Sequence, residues 1–205
     1  MFIQLLFSDP RLFAATALVV IFSICAHEFM HAYIALKNGD PTAADAGHLT
    51  MSPFKQMGLW SLITLCLVGI AWGQVPVNRA NLPRKSSRIL VALAGVSANL
   101  GLAVIFTLLT FAVIVFANDN EFAIKILYFG ASINLVLLAI NLFPVPGFDG
   151  WNILMEFWRP KQSSELANGT FFIMIMLLFF GIEYIEAVAS WLVKSTIMLL
   201  IGVIS

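Results

Sequence analysis

Three ionisable side chains, His27, Glu28 and His31, lie within an otherwise apolar run of the chain. In a helix, residues four apart project from one face a single turn apart, so both imidazoles can bind one tetrahedral zinc ion. Glu28 lies beside that face, where a carboxylate can accept a proton from a zinc-bound water. Ionisable residues at membrane depth are costly and usually functional. The pattern predicts a hydrolytic zinc site; the alternative is a chance match, with the histidines making hydrogen bonds between helices.

The composition indicates a membrane protein. The chain has 205 residues, of which 60% are hydrophobic and 11% charged, and its mean hydropathy is +0.95. We therefore expect an all-α polytopic membrane protein with about five to six transmembrane helices. It should form a single domain over 1–205, with a catalytic core at about 12–158 and C-terminal helices at 170–205. The formal net charge is zero, which gives no indication of nucleic-acid binding, and two cysteines are too few for a disulfide framework.

The apolar segments predict the spans. We expect transmembrane helices at 12–36, 88–117 and 122–143, and residues 170–205 fit two short spans better than one. The apolar segment 58–73 is marginal for a full crossing, so a re-entrant or peripheral segment is favoured over a span. Residues 151–158 could form a short amphipathic helix. Residues 159–169 read as a polar loop.

A catalytic zinc site needs a third protein ligand, because such sites keep three ligands and one open position. Asp149 is the best candidate, since it follows a proline-rich break after an apolar helix. Irregular backbone at membrane depth is tolerated only against protein or a wet cavity. The alternative is an ordinary turn at a helix end, where Asp-Gly is common.

Two distant motifs carry a family resemblance. The chain combines His-Glu-x-x-His at 27–31 with Asn-x-x-Pro-x-Pro-x-x-Asp-Gly at 141–150. With this pairing it resembles the site-2 protease family of intramembrane zinc metalloproteases, over most of residues 20–158. The resemblance extends to segments 38–43, 76–78 and 94–99, and it is to the minimal form without an inserted PDZ or nucleotide-sensing domain.

The resemblance implies a role for each site residue. His27, His31 and Asp149 correspond to the ligands of one zinc ion per chain, and Glu28 corresponds to the catalytic glutamate. Two asparagines, Asn99 and Asn141, match family positions near the active site, so we expect them to bind the substrate backbone or the oxyanion. The alternative for each asparagine is a hydrogen bond between packed helices.

The sequence also departs from the family pattern. Val96 and Gly147 stand where the family usually has proline. Gln56 and Gly58 stand where related minimal members often have histidine and aspartate, and His48 stands where they often have arginine. None of these departures removes a predicted ligand or the glutamate.

The charge pattern predicts an orientation. Because Asp149 must meet both histidines, the helices 12–36 and 122–143 must end on the same side. That side carries most of the basic residues: Lys37, Lys55, Arg79, Arg84, Lys85, Arg88, Arg159 and Lys161, against Arg11 and Lys125 opposite. By the positive-inside rule this side is cytoplasmic, the N-terminus is outside, and the membrane is expected to be a prokaryotic inner membrane.

The expected substrate is a transmembrane protein within the lipid bilayer, presented as an extended segment because a helix occupies its own carbonyls. No nucleic-acid partner is expected, and the sequence gives no oligomeric state. Two alternatives remain. One is a prenyl-protein type of membrane zinc protease with a glutamate ligand, for which the downstream candidates are Glu156, Glu165, Glu183 and Glu186. The other is a membrane metal-ion or proton transporter, for which we find neither repeats nor distributed polar residues.

Overall fold

The computed structural model describes residues 2–117, 120–158 and 164–204, and all regular structure in these ranges is helical. This confirms the all-α architecture. The first part of the loop predicted for 159–169, residues 159–163, lies outside the described residues. The helices are α1 (Phe2–Ser8), α2 (Pro10–Lys37), α3 (Thr42–Asp45), α4 (Pro53–Gln56), α5 (Gly58–Val68), α6 (Lys85–Phe116), α7 (Glu121–Leu142), α8 (Asp149–Phe157) and α9 (Ser164–Ile204), with a 3-10 turn at Arg79–Asn81.

Four segments of the described chain are long and apolar enough to cross a membrane: Pro10–Lys37, Lys85–Phe116, Glu121–Leu142 and Phe180–Val203. The protein is therefore a polytopic integral membrane protein. The count is lower than the predicted five to six spans. The difference arises in the two regions where the sequence was ambiguous, 58–73 and 170–205.

The apolar segment 58–73 does not form a full crossing. Its helix α5 has 11 residues, which at 1.5 Å per residue is about 16 Å, roughly half of a bilayer core. Residues 69–78, which we call the return segment, then run back along α5. The Ser61 hydroxyl donates to the Trp72 carbonyl and accepts from the Trp72 N–H, and the Gln74 N–H donates to the Gln56 carbonyl. This arrangement agrees with the predicted re-entrant segment.

The C-terminal region differs from the prediction. Helix α9 is continuous over 41 residues, Ser164–Ile204, so the prediction of two short spans in 170–205 is wrong, as is the loop predicted for 164–169. The charges of Glu183, Glu186 and Lys194 suggested a break. Charged side chains do not interrupt helical hydrogen bonding, however, and no proline follows Pro160.

Helices α2, α6 and α7 form the antiparallel centre of the bundle. Along α6, small or polar residues such as Ala94, Gly95 and Asn99 are buried, whereas Leu100 and Leu108 are exposed. Small inward residues let helix backbones approach closely, and apolar outward residues suit lipid. Helices α2 and α7 end, and α6 begins, at the same end of the bundle, which brings the predicted site residues to one depth.

Candidate metal centre

Three predicted ligands meet in the buried space between α2, α6 and α8. His27 and His31 lie one turn apart on α2, and Asp149 is the first residue of α8. The two Nε2 atoms are 2.9 Å apart, and Asp149 Oδ2 lies 3.3 Å from His27 Nε2 and 3.2 Å from His31 Nε2. These residues are 6–8% exposed. The two imidazoles therefore lie on one face of α2, as the spacing of the histidines predicts.

The hydrogen-bond partner of His31 fixes its neutral tautomer. His31 Nδ1 lies 2.7 Å from the carbonyl oxygen of Val91 on α6. A carbonyl can only accept, so Nδ1 carries the hydrogen and donates it. The Nε2 atom of the neutral ring then presents a lone pair toward Asp149.

The tautomer of His27 is fixed through two asparagines. Asn134 Nδ2 donates to the Gly130 carbonyl, which can only accept, so Asn134 Oδ1 faces Asn99 and accepts from Asn99 Nδ2 at 2.9 Å. Asn99 Oδ1 is then the atom 2.6 Å from His27 Nδ1, and it must accept a hydrogen from it. The lone pair of His27 is therefore also on Nε2.

These residues fit a zinc ion. Two imidazole lone pairs and one carboxylate oxygen converge, and Asp149 Oδ2 has no hydrogen-bond partner in the described chain. In the described residues the group is the one set of at least three His, Cys, Asp or Glu ligand atoms within 4.8 Å of one another. Lone pairs that converge in this way repel one another unless a cation lies between them. Imidazole nitrogen and carboxylate oxygen atoms are usual ligands of zinc. Each histidine also has the second hydrogen bond that is typical of zinc ligands.

A glycine on α6 keeps the space at the ligand atoms open. A Cβ atom at Gly95 would collide with the imidazole rings of both His27 and His31. The rings cannot turn aside without breaking the hydrogen bonds of their Nδ1 atoms. Any larger residue at Gly95 would therefore intrude where the metal ligands converge.

Glu28 faces a cavity that the return segment helps to form. The cavity has a volume of about 640 Å³ and is lined by the three ligand residues, Glu28, the return segment and the ends of α6 and α7. Glu28 is 8% exposed. A Cβ atom at Gly73 would collide with the Glu28 side chain, so the return segment passes directly over this carboxylate. Glu28 thus lies between the metal ligands and the non-helical backbone of the return segment.

The two asparagines lie in different surroundings. Both polar atoms of Asn99 are engaged, with His27 and Asn134, and the residue is fully buried. Asn141 lines the cavity, and its Nδ2 donates to the Leu137 carbonyl of its own helix. Their expected role in substrate binding stays a prediction.

The described glutamates among the alternative ligands, and the remaining histidine of the chain, lie away from the metal ligands. Glu156 pairs with arginines, and Glu183 and Glu186 are exposed on α9. His48 Nδ1 lies 3.1 Å from Gln56 Oε1 and does not join the metal group. Among the described residues Asp149 is the one carboxylate that forms a metal-ligand group with both histidines, which removes support for Glu156, Glu183 and Glu186 as the ligand. The side chain of Glu165 lies outside the described part of the chain.

A buried aspartate that belongs to neither of the two distant motifs anchors the return segment. Asp40, fully buried beyond the end of α2, accepts hydrogen bonds from Thr42, from the Asn78 N–H and from Asn81. Burial opposes its ionisation, but the hydrogen bonds from Thr42 and Asn81 outweigh this and lower the pKa of the Asp40 carboxyl below its usual value. The sequence did contain a signal for this contact, because segments 38–43 and 76–78, which contain Asp40 and Asn78, both belong to the family resemblance.

Comparison with known sequences gives the same class of protein. A sequence model of peptidase family M50 matches residues 15–118 and 113–181. The Bacillus subtilis protein named "Putative zinc metalloprotease YwhC" is 34% identical, over 79% of this chain and 78% of the relative. The Mycobacterium tuberculosis protein "Putative zinc metalloprotease Rip2" is 31% identical, over 86% of this chain and 75% of the relative. No solved structure matches.

A membrane-embedded His/His/Asp centre with an adjacent glutamate is the site of a membrane metallohydrolase. The chain belongs to peptidase family M50, the zinc metalloproteases to which the site-2 proteases belong. The predicted resemblance is thereby confirmed.

Proposed function

We propose that the protein is an intramembrane zinc endopeptidase that hydrolyses peptide bonds in or near transmembrane segments of membrane-protein substrates. The observation that supports this most is the position of Glu28. It lies beside the His27, His31 and Asp149 group, buried within spanning helices and facing a cavity. A base at this depth can act on a peptide bond that a soluble protease cannot reach.

In the proposed mechanism Glu28 handles the protons. His27, His31 and Asp149 would hold a zinc ion, which would supply Lewis acidity to the scissile carbonyl and to the attacking water. Glu28 accepts the proton of the attacking water on a carboxylate oxygen and then delivers it to the leaving amine. Asn141, on the cavity wall, is proposed to donate to the substrate backbone or to the developing oxyanion.

The return segment supports the proposal that the substrate binds in an extended form. The backbone N–H groups of Gly73, Val75 and Val77 have no hydrogen-bond partner within the described chain. Unpaired backbone beside a cavity can pair with an extended peptide, which exposes its own carbonyls. A substrate helix must unwind locally to bind in this way, so a helix-weakening stretch is expected in the substrate.

The proposed partners are a transmembrane protein substrate and the lipid bilayer, without nucleic acid. We also propose a prokaryotic inner membrane, with the active site toward the cytoplasm and the N-terminus outside. The described basic residues support this orientation, since six lie at the site end: Lys37, Lys55, Arg79, Arg84, Lys85 and Arg88. Arg159 and Lys161, which the prediction also used, lie outside the described residues.

The test is cleavage in liposomes of two single-span substrates that differ only at the centre of the span. One has a Gly-Asn pair there and the other has two leucines. We expect cleavage of the first substrate within its apolar segment, located by mass spectrometry, and little cleavage of the second, because leucine keeps the helix closed. Equal cleavage of both would contradict extended-segment recognition. Zinc or proton flux without any cleavage would instead support the transporter alternative.

A further inference from the structure

A buried carboxylate near the end of α8 joins two arginines from different elements. Glu156 is 9% exposed. Its Oε2 lies 2.8 Å from Arg88 Nη2 in the first turn of α6, and its Oε1 pairs with Arg79 in the 3-10 turn. The close contact with the Arg88 guanidinium outweighs burial and, with the hydrogen bond from Arg79, lowers the pKa of the Glu156 carboxyl below its usual value. The group is therefore an ionised bridge between three parts of the chain.

The Arg88 contact ties the metal ligands to one helix end. Asp149 and Glu156 are seven residues apart on α8 and so lie on the same face. One turn after Arg88 on α6 comes Val91, whose carbonyl accepts from His31. The same short stretch of α6 thus orients His31 directly and holds, through Glu156, the helix that begins with Asp149.

A second contact at the same place supports this docking. Lys85 Nζ lies 3.7 Å from the centroid of the Phe157 ring, one residue beyond Glu156. A cation over an aromatic face is attractive. The C-terminal half of α8 is therefore fixed against the start of α6, although Asp149 itself lies at the opposite end of α8.

The Arg79 contact ties the same carboxylate to the return segment. Arg79 follows that segment directly, at the point where Asn78 and Asn81 are held by Asp40. The return segment in turn passes over Glu28 at Gly73. The Arg79 side chain is 48% exposed, compared with 18% for Arg88, so water weakens this contact more than the other.

We propose that Glu156 is a positioning residue that aligns the two halves of the active site, the metal ligands on one side and Glu28 with the return segment on the other. Its contact with Arg88 sets Asp149 against the two histidines, and its contact with Arg79 sets the return segment against Glu28. The first half of this inference concerns zinc binding alone. The second half rests on the proposed protease function.

The two contacts predict separable effects. Replacing Arg88 by Gln, or Glu156 by Gln, should lower zinc affinity by about 10-fold, the lower end of the cost of losing a group bonded to a metal ligand, because both residues act on Asp149 only through α8. Arg79→Gln should leave zinc affinity unchanged and lower kcat/KM by about tenfold, because a misplaced substrate-binding segment costs orientation. Arg88→Lys keeps a cation at Glu156 and should restore most of the zinc affinity.

The experiment compares these full-length variants in detergent. Zinc affinity is measured by competition with a chromophoric chelator, and cleavage is measured on the same preparations with the Gly-Asn substrate. Glu121→Gln is the matched control, since it removes an exposed carboxylate at the start of α7. The unfolding temperature of each zinc-free variant shows whether a lower affinity follows a general loss of structure.

The proposal is supported if the Arg88 variant loses zinc affinity, its Lys replacement recovers it, and the Arg79 variant changes cleavage alone. It is overturned if Glu156→Gln binds zinc as tightly as Glu121→Gln. It is also overturned if both arginine variants lower the two readouts in parallel with their unfolding temperatures, which is the behaviour of a simple structural brace. If the native chain binds zinc but cleaves nothing, the protease function fails, whereas the zinc comparison still decides the role of the Arg88 contact.

Discussion

At the scale of single residues, the metal centre depends on which ring nitrogen of each histidine carries a hydrogen. The Val91 carbonyl sets this for His31, and the Asn99–Asn134 pair sets it for His27. Both lone pairs then point at Asp149. The site is complementary to a cation before any metal binds.

A glycine offers the sharpest test of this geometry. Gly95→Ala places a Cβ against both imidazoles, whereas Gly101→Ala, on the same helix, has nothing within 4 Å. We expect Gly95→Ala to lower zinc affinity by at least about 10-fold, since the rings must leave the orientation set by their Nδ1 hydrogen bonds. Gly101→Ala should bind zinc as the native chain does. Equal zinc affinity in the two variants, measured by chelator competition, would contradict the geometry.

The sequence predicted those site residues whose chemistry is in the side chain. The spacing of His27 and His31 predicted that both imidazoles share one helix face, and the broken helix before Asp149 made that residue the best candidate for a third ligand. The Val91 carbonyl was not predictable, because every residue has one and only the crossing of α2 and α6 decides which is used. Asn99 was predicted to bind substrate because it matches a family position near the active site, whereas its hydrogen bonds to His27 and Asn134 depend on how the helices pack.

At the scale of elements, the return segment decides how close the substrate can come to the base. It is held at one end by α5, through Ser61, and at the other by Asp40. Its middle passes over Glu28 at Gly73. A segment anchored at both ends can present unpaired backbone without closing the cavity.

Gly73→Ala tests this contact. The added Cβ would collide with the flexible end of Glu28, so the carboxylate must move while the metal ligands keep their places. We expect a kcat lower by about 100-fold, the order of cost of a misplaced catalytic group, with zinc content unchanged. Undiminished turnover, or loss of zinc together with activity, would show that Gly73 does not act through Glu28. The same Gly101→Ala protein serves as the control.

The ends of the helices were predicted well where glycine or proline residues terminate them. Helix α2 ends at the Asn38–Pro41 turn, and α7 ends before Pro144, close to the predicted positions. The prediction of two spans failed in α9, because the charged residues within 170–205 were taken to interrupt the helix. Charged side chains do not break a helix, whereas proline does. A helix of 41 residues is much longer than a bilayer core requires.

At the scale of the whole molecule, the ends of α2 and α7 and the start of α6 share one side. Six of the nine described basic residues lie on that side, and Asp149 lies next to both histidines close to it. Charge and site geometry therefore select the same side of the membrane, the proposed cytoplasmic side.

Thiol labelling tests the orientation. With Cys25 and Cys66 replaced by alanine, a single cysteine is introduced by Lys55→Cys or by Glu121→Cys, both at exposed positions. A membrane-impermeant maleimide should label the Glu121→Cys protein in intact spheroplasts. It should label the Lys55→Cys protein only after permeabilisation. The reverse pattern would place the site end outside and contradict the positive-inside assignment.

The central claim is that Glu28 acts as the base of a zinc peptidase, and Glu28→Gln tests it most directly. The variant keeps the shape of the side chain and all three metal ligands but loses the proton acceptor. The measurement is cleavage of the Gly-Asn substrate by native and variant protein, with zinc quantified in both. We predict equal zinc content and a rate lower by about 100- to 10,000-fold in the variant. A variant that cleaves at the native rate, or a native protein that holds no zinc, would contradict the account.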